Sequence, residues 1–486
     1  MRDDIRTQQG PTWAEHLPDP LLVSAQDVRA RLGDARRLIV LDDDPTGTQT
    51  VRDVPVLTSW RAEDVEWALD QGGPGFFILT NTRSLGEHGA ADRNREVATA
   101  CYAAARRRGI EIAFASRGDS TLRGHFPLET DVLSEVSAGE GSPVDAVLLA
   151  PTYLDAGRIT LNGTHWLRDA EGLHPVGESE FARDATFGYR SSWLPEWVAE
   201  KSGGRVPADA VTVVGLEAIR SAGAPLASVL RASRDGAVVV VDAVTDDDLR
   251  SAVVSALDAE SSGIRIVYRV GPSFVRARLG QGSQPPLDDL ELANLLGAAG
   301  DSGTVARHGL VAIGSHVDLS NRQLAALTTS REVHAIELDV EKVLGDDAQA
   351  HIAEVASLAA AWLDDRVTVI STSRGLRRGA DAATSLDLSR RVSAALTETV
   401  RRTVLARRPA YVIAKGGITS SDIATDALGI SRARVVGSML PGIVSVWQAA
   451  SGAATGLPYV VFAGNVGDDA SLATVVDNWE RARELG

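Results

Sequence analysis

The sequence predicts an α/β protein of two domains, each with a largely parallel sheet flanked by helices and with an active-site cleft between them. Three observations carry this. Short apolar runs recur, each ending in a polar, turn-forming cluster: Leu38-Ile39-Val40-Leu41 into Asp42–Gln49, Phe76-Phe77-Ile78-Leu79 into Thr80–Ser84, Glu111–Ala115 into Ser116–His125, and Ala146–Ala150 into Pro151–Arg158. Stretches of helical spacing, Asp92 to Arg108 and Leu128 to Val136, lie between them, and such alternation marks βαβ units. Finally, 486 residues exceed one typical core.

The elements follow in order. Residues 1–35 form an extension with a short helix near Ser24 to Leu32. The first domain spans 36–280. Val211–Val214 and Gly236–Val241 continue its strands, and Asp247 to Ala259 forms a helix. Phe187 to Arg205, with Trp193 and Trp197, fits no repeating unit and is expected to pack as an insertion over the cleft. Residues 281–307 form a linker rich in Gly, Pro, Asp and Ser. Its Gly297–Gly303 spacing suggests a dinucleotide loop, but it follows the helix-like run Leu290 to Leu296, not the strand that such a loop requires. In the second domain, 308–486, Leu310–Ile313 leads to Gly314-Ser315-His316 and Arg366–Ile370 leads to Ser371–Gly375. Tyr411–Ala414 leads to Lys415–Asp422 and Tyr459–Ala463 to Gly464–Gly467, with a helix over Asp381 to Ala406.

Composition narrows the class. A net charge of −16 argues against nucleic acid or an anionic membrane as the main partner. The single cysteine, Cys101, excludes an intrachain disulfide and suits a reducing cytoplasm. No signal peptide and no membrane-spanning run are expected, and a homo-oligomer is left open.

The clusters carry the chemistry. In a parallel sheet the carboxyl ends of the strands share one edge, where open α/β sheets bind small ligands. The four clusters would converge there on a crevice rich in Asp and Arg, and core packing does not account for such charge. Asp119 can accept a hydroxyl proton, and Arg123 can fork onto a carboxylate or phosphate. In the second domain, glycines directly after strands, followed by helix N-termini, offer N–H groups to phosphate. Lys415-Gly416-Gly417-Ile418-Thr419 has this layout, as do Pro441-Gly442 after Gly437 and Gly464-Asn465-Val466-Gly467. There is no P-loop, protein-kinase, zinc or α/β-hydrolase signature.

Taken together these segments resemble the four-carbon acid sugar kinase family. Its Asp-Asp-x-Thr-Gly matches Asp43-Asp44-Pro45-Thr46-Gly47, and its Asp-Ser-Thr-Leu-Arg-Gly matches Asp119 to Gly124. Gly157-Arg158, then Asn162-Gly163-Thr164-His165, and Glu178 to Asp184 follow in register, with Val239 to Ala243 resembling the last strand before the crossover. Gly314-Ser315, Gly416-Gly417-Ile418-Thr419, Pro441-Gly442 and Gly464-Asn465-Val466-Gly467 match its nucleotide-binding domain. Phe462 stands where the family usually has lysine, and Lys415 is expected to supply that charge near the phosphates.

The resemblance implies transfer of the γ-phosphoryl group of ATP, with Mg²⁺ whose ligands are unknown, to a hydroxyl of threonate, erythronate or a 3-oxo-tetronate. Asp43 and Asp119 would be catalytic, Asp43 being the favoured base. Asp44, Thr46, Arg83, Ser120, Arg123 and Arg158 would hold the acid, with Arg123 and either Arg83 or Arg158 on its carboxylate. Ser315, Lys415, Gly416, Gly417, Thr419, Gly437, Leu440, Pro441, Gly442, Gly464, Asn465 and Gly467 would hold ATP. A non-catalytic sugar-acid sensor and a dinucleotide-dependent oxidoreductase are the alternatives.

Overall fold

The computed structural model describes residues 13–33, 35–221, 224–300, 305–373 and 382–485. The start of the expected extension, the end of the glycine-rich stretch at 301–304, and Arg374, Gly375 and Asp381 lie outside the described residues.

In chain order the strands are β1 (Arg37–Asp42), β2 (Val54–Leu57), β3 (Gly75–Leu79), β4 (Ile112–Arg117), β5 (Ala146–Ala150), β6 (Arg158–Leu161), β7 (Thr164–Arg168), β8 (Leu173–Pro175) and β9 (Thr212–Val214). They continue with β10 (Ala237–Val241), β11 (Ile266–Val270), β12 (Leu310–Ile313), β13 (His334–Leu338), β14 (Thr368–Thr372), β15 (Val412–Lys415), β16 (Arg432–Leu440), β17 (Ile443–Ala449) and β18 (Pro458–Phe462). Two compact units result, one holding Ser59–Ser283 with the residues up to Gly47, the other Thr48–Thr58 with Gln284–Gly486.

The first unit carries a parallel sheet in the order β3-β1-β4-β11-β5-β10-β9. Its central strands are buried along their whole length, which is why they read as unbroken apolar runs. The helix Glu87–Arg108 buries Ala90, Asn94, Val97, Ala98, Cys101 and Ala105, a stripe at helical spacing, and ends at Gly109 with φ +63°. The helix Asp246–Ser261 starts from a capping box: Asp248 N–H donates to the Thr245 hydroxyl at 3.3 Å and Thr245 N–H to the Asp248 carboxylate at 2.9 Å.

One expectation needs correction here. β10 is not the last strand of this unit, because β11 follows it and inserts between β4 and β5. The Phe187 to Arg205 segment packs on the Asp119–His125 loop, where Tyr189 donates its hydroxyl to the Thr121 carbonyl at 2.6 Å, and its helix, Leu194–Lys201, drives a fully buried Trp197 against Phe126, with ring centroids 4.6 Å apart, in a core with Leu122, Leu149 and Val240. The stretch after Arg158 forms a small antiparallel sheet, β6-β7-β8, closed by the Asn162-Gly163 turn, both residues with positive φ.

The second unit orders its parallel strands β13-β14-β12-β15-β18 and adds β17, β16 and β2 antiparallel. Residues 48–58, expected within the first domain, group here because β2 pairs with β16. Much of the expected linker is likewise structural. The helix Asp289–Gly300 buries Leu292 and Leu295 in a core with Leu287 and Trp479, and Trp479 stacks on Tyr411 at 5.0 Å. Pro441-Gly442 is a hairpin turn between β16 and β17, with Gly442 at φ +65°, and no helix follows it. Among the described residues no helix is long and apolar enough to cross a membrane.

Candidate active site

Parallel β1, β3 and β4 end on one edge of the first unit's sheet, and their terminal clusters meet there. Arg83, just past β3, reaches three carboxylates: Asp44 at 2.9 Å, Asp43 at 3.3 Å and Asp119 at 3.7 Å. Arg117, the last residue of β4, pairs with the buried Asp42 and lies 3.9 Å from Asp43. Gly47 fits against that pair. A Cβ there would overlap both the Asp42 carboxylate and the Arg117 guanidinium, which gives this motif glycine its physical reason. Asp44 accepts the Thr46 N–H at 2.9 Å and its hydroxyl, an Asx-type turn that fixes the loop.

The two favoured aspartates are pushed in opposite directions. Burial raises Asp43 to about 6; Arg83 and Arg117 oppose this and Glu129 adds to it. Its Oδ2 is buried without a hydrogen-bond partner. Burial also acts on Asp119, but Arg83 and Arg123 outweigh it and hold the carboxyl well below the usual carboxylate range. Asp42, despite Arg117, is raised by burial to about 7.

The arginines differ in what they have left to offer. Arg123 binds Asp119 at 2.7 Å, lies 3.7 Å from Asp184 and stacks over Phe181. Arg158 donates to the Ala156 carbonyl at 2.6 Å, its Nε is buried without a partner, and no carboxylate of the described residues lies in ion-pair range. Asp119 is nonetheless near enough to act on it. Ser120 is held by its main chain: His165 Nε2–H donates to its carbonyl at 2.8 Å while the Thr160 hydroxyl donates to Nδ1 at 3.0 Å. Burial lowers His165 to about 4, so the ring is neutral.

In the second unit, β15 ends in Lys415 and the turn Gly416 (φ +128°) starts the short helix Gly417–Asp422. A Cβ on Gly416 would stand 2.9 Å from the Thr419 hydroxyl and 3.3 Å from Ser315, and one on Gly464 would crowd the Ser315 hydroxyl. Ser315, Gly416, Thr419 and Gly464 thus gather at one place, together with Ser320, which hydrogen-bonds the Ser315 hydroxyl at 3.0 Å and the Gly464 carbonyl at 2.9 Å. Asn465 and Gly467 follow in the same loop, which Gln323 ties down through the Val466 carbonyl at 3.1 Å. Gly437 lies instead against Leu287 in the hairpin that carries Leu440, Pro441 and Gly442. Lys415 is turned inward. Its ammonium donates to the carbonyls of Ala463 at 2.6 Å and Gly464 at 3.3 Å and lies over the Phe462 ring, and burial lowers it to about 7. It supports the Gly464 loop from within and does not stand beside it.

Next to Thr419 opens a cavity of about 230 Å³, walled by Val340, Leu344, Val392, Leu396 and Ile418, with His316, Thr372 and Ser393 as its polar edge.

Sequence reasoning missed Arg269 and Glu129. Both are buried behind the first unit's cluster, joined at 2.7 Å. The run Ile264–Val270 was the available signal, and an internal arginine masks its strand character.

Comparison with known proteins agrees with this layout. A family described as a sugar-binding N-terminal domain matches residues 38–278, and one described as a nucleotide-binding C-terminal domain matches residues 310–472. The chain is 26% identical over 362 residues to the D-threonate kinase of Salmonella typhimurium, covering 73% of this chain and 77% of the relative. Two solved structures share the fold. One is a Salmonella typhimurium LT2 protein carrying the name tRNA synthase (TM-score 0.64, 18% identity, 90% of this chain and 98% of that one). The other is a Haemophilus influenzae protein of the DUF1537 family (TM-score 0.60, 16% identity, 91% and 99%). With both domains matched in order and a sugar-acid kinase among its relatives, the chain belongs to the four-carbon acid sugar kinase family.

Proposed function

We propose that this protein is an ATP-dependent kinase that phosphorylates a hydroxyl of a four-carbon sugar acid of the threonate, erythronate or 3-oxo-tetronate class. One observation carries the reading. Two neighbouring aspartates bound to the same arginine are pushed in opposite directions, Asp43 up and Asp119 down. Titratable pairs split in this way take different roles. Asp43, near neutrality and with a free oxygen, accepts the proton of the attacked hydroxyl. Asp119 stays ionised and orients hydroxyls. Arg158, with no carboxylate of its own, takes the substrate carboxylate, and Arg123 flanks it.

On the second unit, Ser315, Gly416, Gly417, Thr419 and the Gly464–Gly467 loop hold the phosphates, and the apolar cavity beside Thr419 takes the purine ring. Phosphoryl transfer asks the protein mainly for positioning and charge neutralisation. Among the described residues no cluster of three or more metal-binding side chains exists. Mg²⁺ carried on ATP phosphates would need only one or two protein carboxylates. The ion would supply charge neutralisation on the transferred group.

The test is ADP release from MgATP across D-threonate, L-threonate, D-erythronate and their 3-oxo forms, with Arg158→Leu beside the wild type. Turnover on one acid is expected, with the variant raising KM for that acid about tenfold to a hundredfold and leaving KM for ATP unchanged. Absence of ADP release with every acid would refute the proposed reaction.

A further inference from the structure

Behind the first unit's charged cluster lies a second, fully buried layer. Arg269, on the central strand β11, donates to the Ser116 hydroxyl at 2.7 Å and to Glu129 Oε2 at 2.7 Å. The Ser116 hydroxyl donates to Oε2 of the same carboxylate at 2.7 Å, and Thr82 donates to its Oε1 at 2.6 Å. Four elements are tied together: β11, β4, the helix Leu128–Gly139 that carries Glu129, and the turn after β3 that carries Arg83.

The guanidinium also fills space that two motif glycines leave open. A Cβ on Gly118 would overlap Arg269, and one on Gly124 would stand 3.2 Å from its Nη2 and 3.1 Å from Asp43 Oδ2. Gly118 and Gly124 bracket the loop that carries Asp119, Ser120 and Arg123. One planar cation therefore underlies both ends of that loop and borders the free oxygen of Asp43. Arg269 is 4% exposed, so no ligand reaches it without the loop moving. Asp43 is faced by Arg83, Arg117 and Arg269 and by Glu129, and Asp42 and Asp44 adjoin it in the chain.

We propose that Arg269, clamped by Glu129, is the positioning residue that sets the distance between Asp43 and the Asp119 loop, and so aligns the proton acceptor with the substrate hydroxyl. The inference rests on the kinase reading above. Replacing a buried ion pair by apolar side chains of similar volume is often neutral or stabilising, whereas removing one partner strands a charge. That difference separates packing from positioning.

The experiment compares wild type, Arg269→Met, Arg269→Lys and the double variant Arg269→Met/Glu129→Leu in melting temperature and in kcat and KM for each substrate. Arg269→Met is expected to melt lower and to lose about a hundredfold in kcat, the order that a 1 Å misplacement costs, with KM for ATP unchanged. The double variant should regain most of the melting temperature but not the kcat, and Arg269→Lys should recover part of it. A double variant that regains both, or a folded Arg269→Met with wild-type kcat, overturns the proposal. If the wild type turns over no acid, the kinase reading fails separately. The proposal is then read from the rise in melting temperature that the same acids induce: a smaller rise in the double variant than in the wild type supports it, and an equal rise, or none in the wild type, overturns it.

Discussion

Asparagine in place of Asp43 is expected to stabilise the protein at neutral and alkaline pH while abolishing its activity. The carboxyl is 1% exposed, and its nearest cations, Arg83 at 3.3 Å and Arg117 at 3.9 Å, do not cancel the cost of burial. Burial thus raises it from 3.8 to about 6. Between those two values the folded protein keeps a proton that the unfolded chain has lost. The stability this contributes is complete below 3.8 and is lost as pH rises through 6. The gap corresponds to about 3 kcal/mol at pH 8 and about 1 kcal/mol at pH 4.5. The amide of asparagine cannot ionise, so the variant should be more stable than wild type by about those amounts.

Guanidinium melts of both proteins at pH 8 and pH 4.5 measure this. A variant less stable than wild type at pH 8, or an advantage that does not shrink in acid, would refute the reasoning. Asp43 would then be an ordinary stabilising ion-pair partner, and its role as base would lose its physical support. Activity should run the opposite way, with kcat/KM for the sugar acid rising as pH increases through about 6.

Two further outcomes are expected. Gly47→Ala forces a methyl group into the buried Asp42–Arg117 pair and should cost about 2–4 kcal/mol with loss of turnover, checked by thermal melts and ADP release. Lys415→Met removes the ammonium that holds the carbonyls of Ala463 and Gly464, and should raise KM for ATP about tenfold while KM for the sugar acid stays constant. The same variant should lack a gain in stability that wild type shows as pH rises from about 7 toward 10.5, where the unfolded chain holds a proton the fold has released.

The strands whose ends build the first site were legible because they are buried on both faces and flanked by turn residues: β1, β3, β4 and β5 read as apolar runs. β11 was not, since Arg269 interrupts Ile266–Val270 and its charge is compensated by Glu129, far away in sequence. β2 is only four residues with an internal proline and finds its partner, β16, beyond residue 430. Neither neighbour order nor pairing distance is written in local pattern. The same limit governed the glycines. Gly416 and Gly464 do sit where a strand hands over toward a helix, whereas Pro441-Gly442 has equivalent composition and simply turns a hairpin. Lys415 could be placed on its strand end by sequence, but not its direction, because the paired position across the ladder, Phe462, offers its ring face to the ammonium.

The allocation of charge in the first unit bears on which ligand it can accept. Arg83 is shared among Asp43, Asp44 and Asp119, Arg117 lies between Asp42 and Asp43, and Arg123 between Asp119 and Asp184. Each cation is already matched, so a ligand anion there would have to displace a carboxylate. Arg158 is not matched, and burial already lowers it, so its charge is held at a cost until an anion arrives. Under the proposed function, a sugar carrying one carboxylate would supply that anion without disturbing the other pairs, and its hydroxyls would fall to the aspartates. A neutral sugar of the same length would leave the half-buried Arg158 without an anion, which weighs against it. On the proposed reading the cluster selects an acid first, and the stereochemistry of its hydroxyls is decided among Asp43, Asp44 and Asp119.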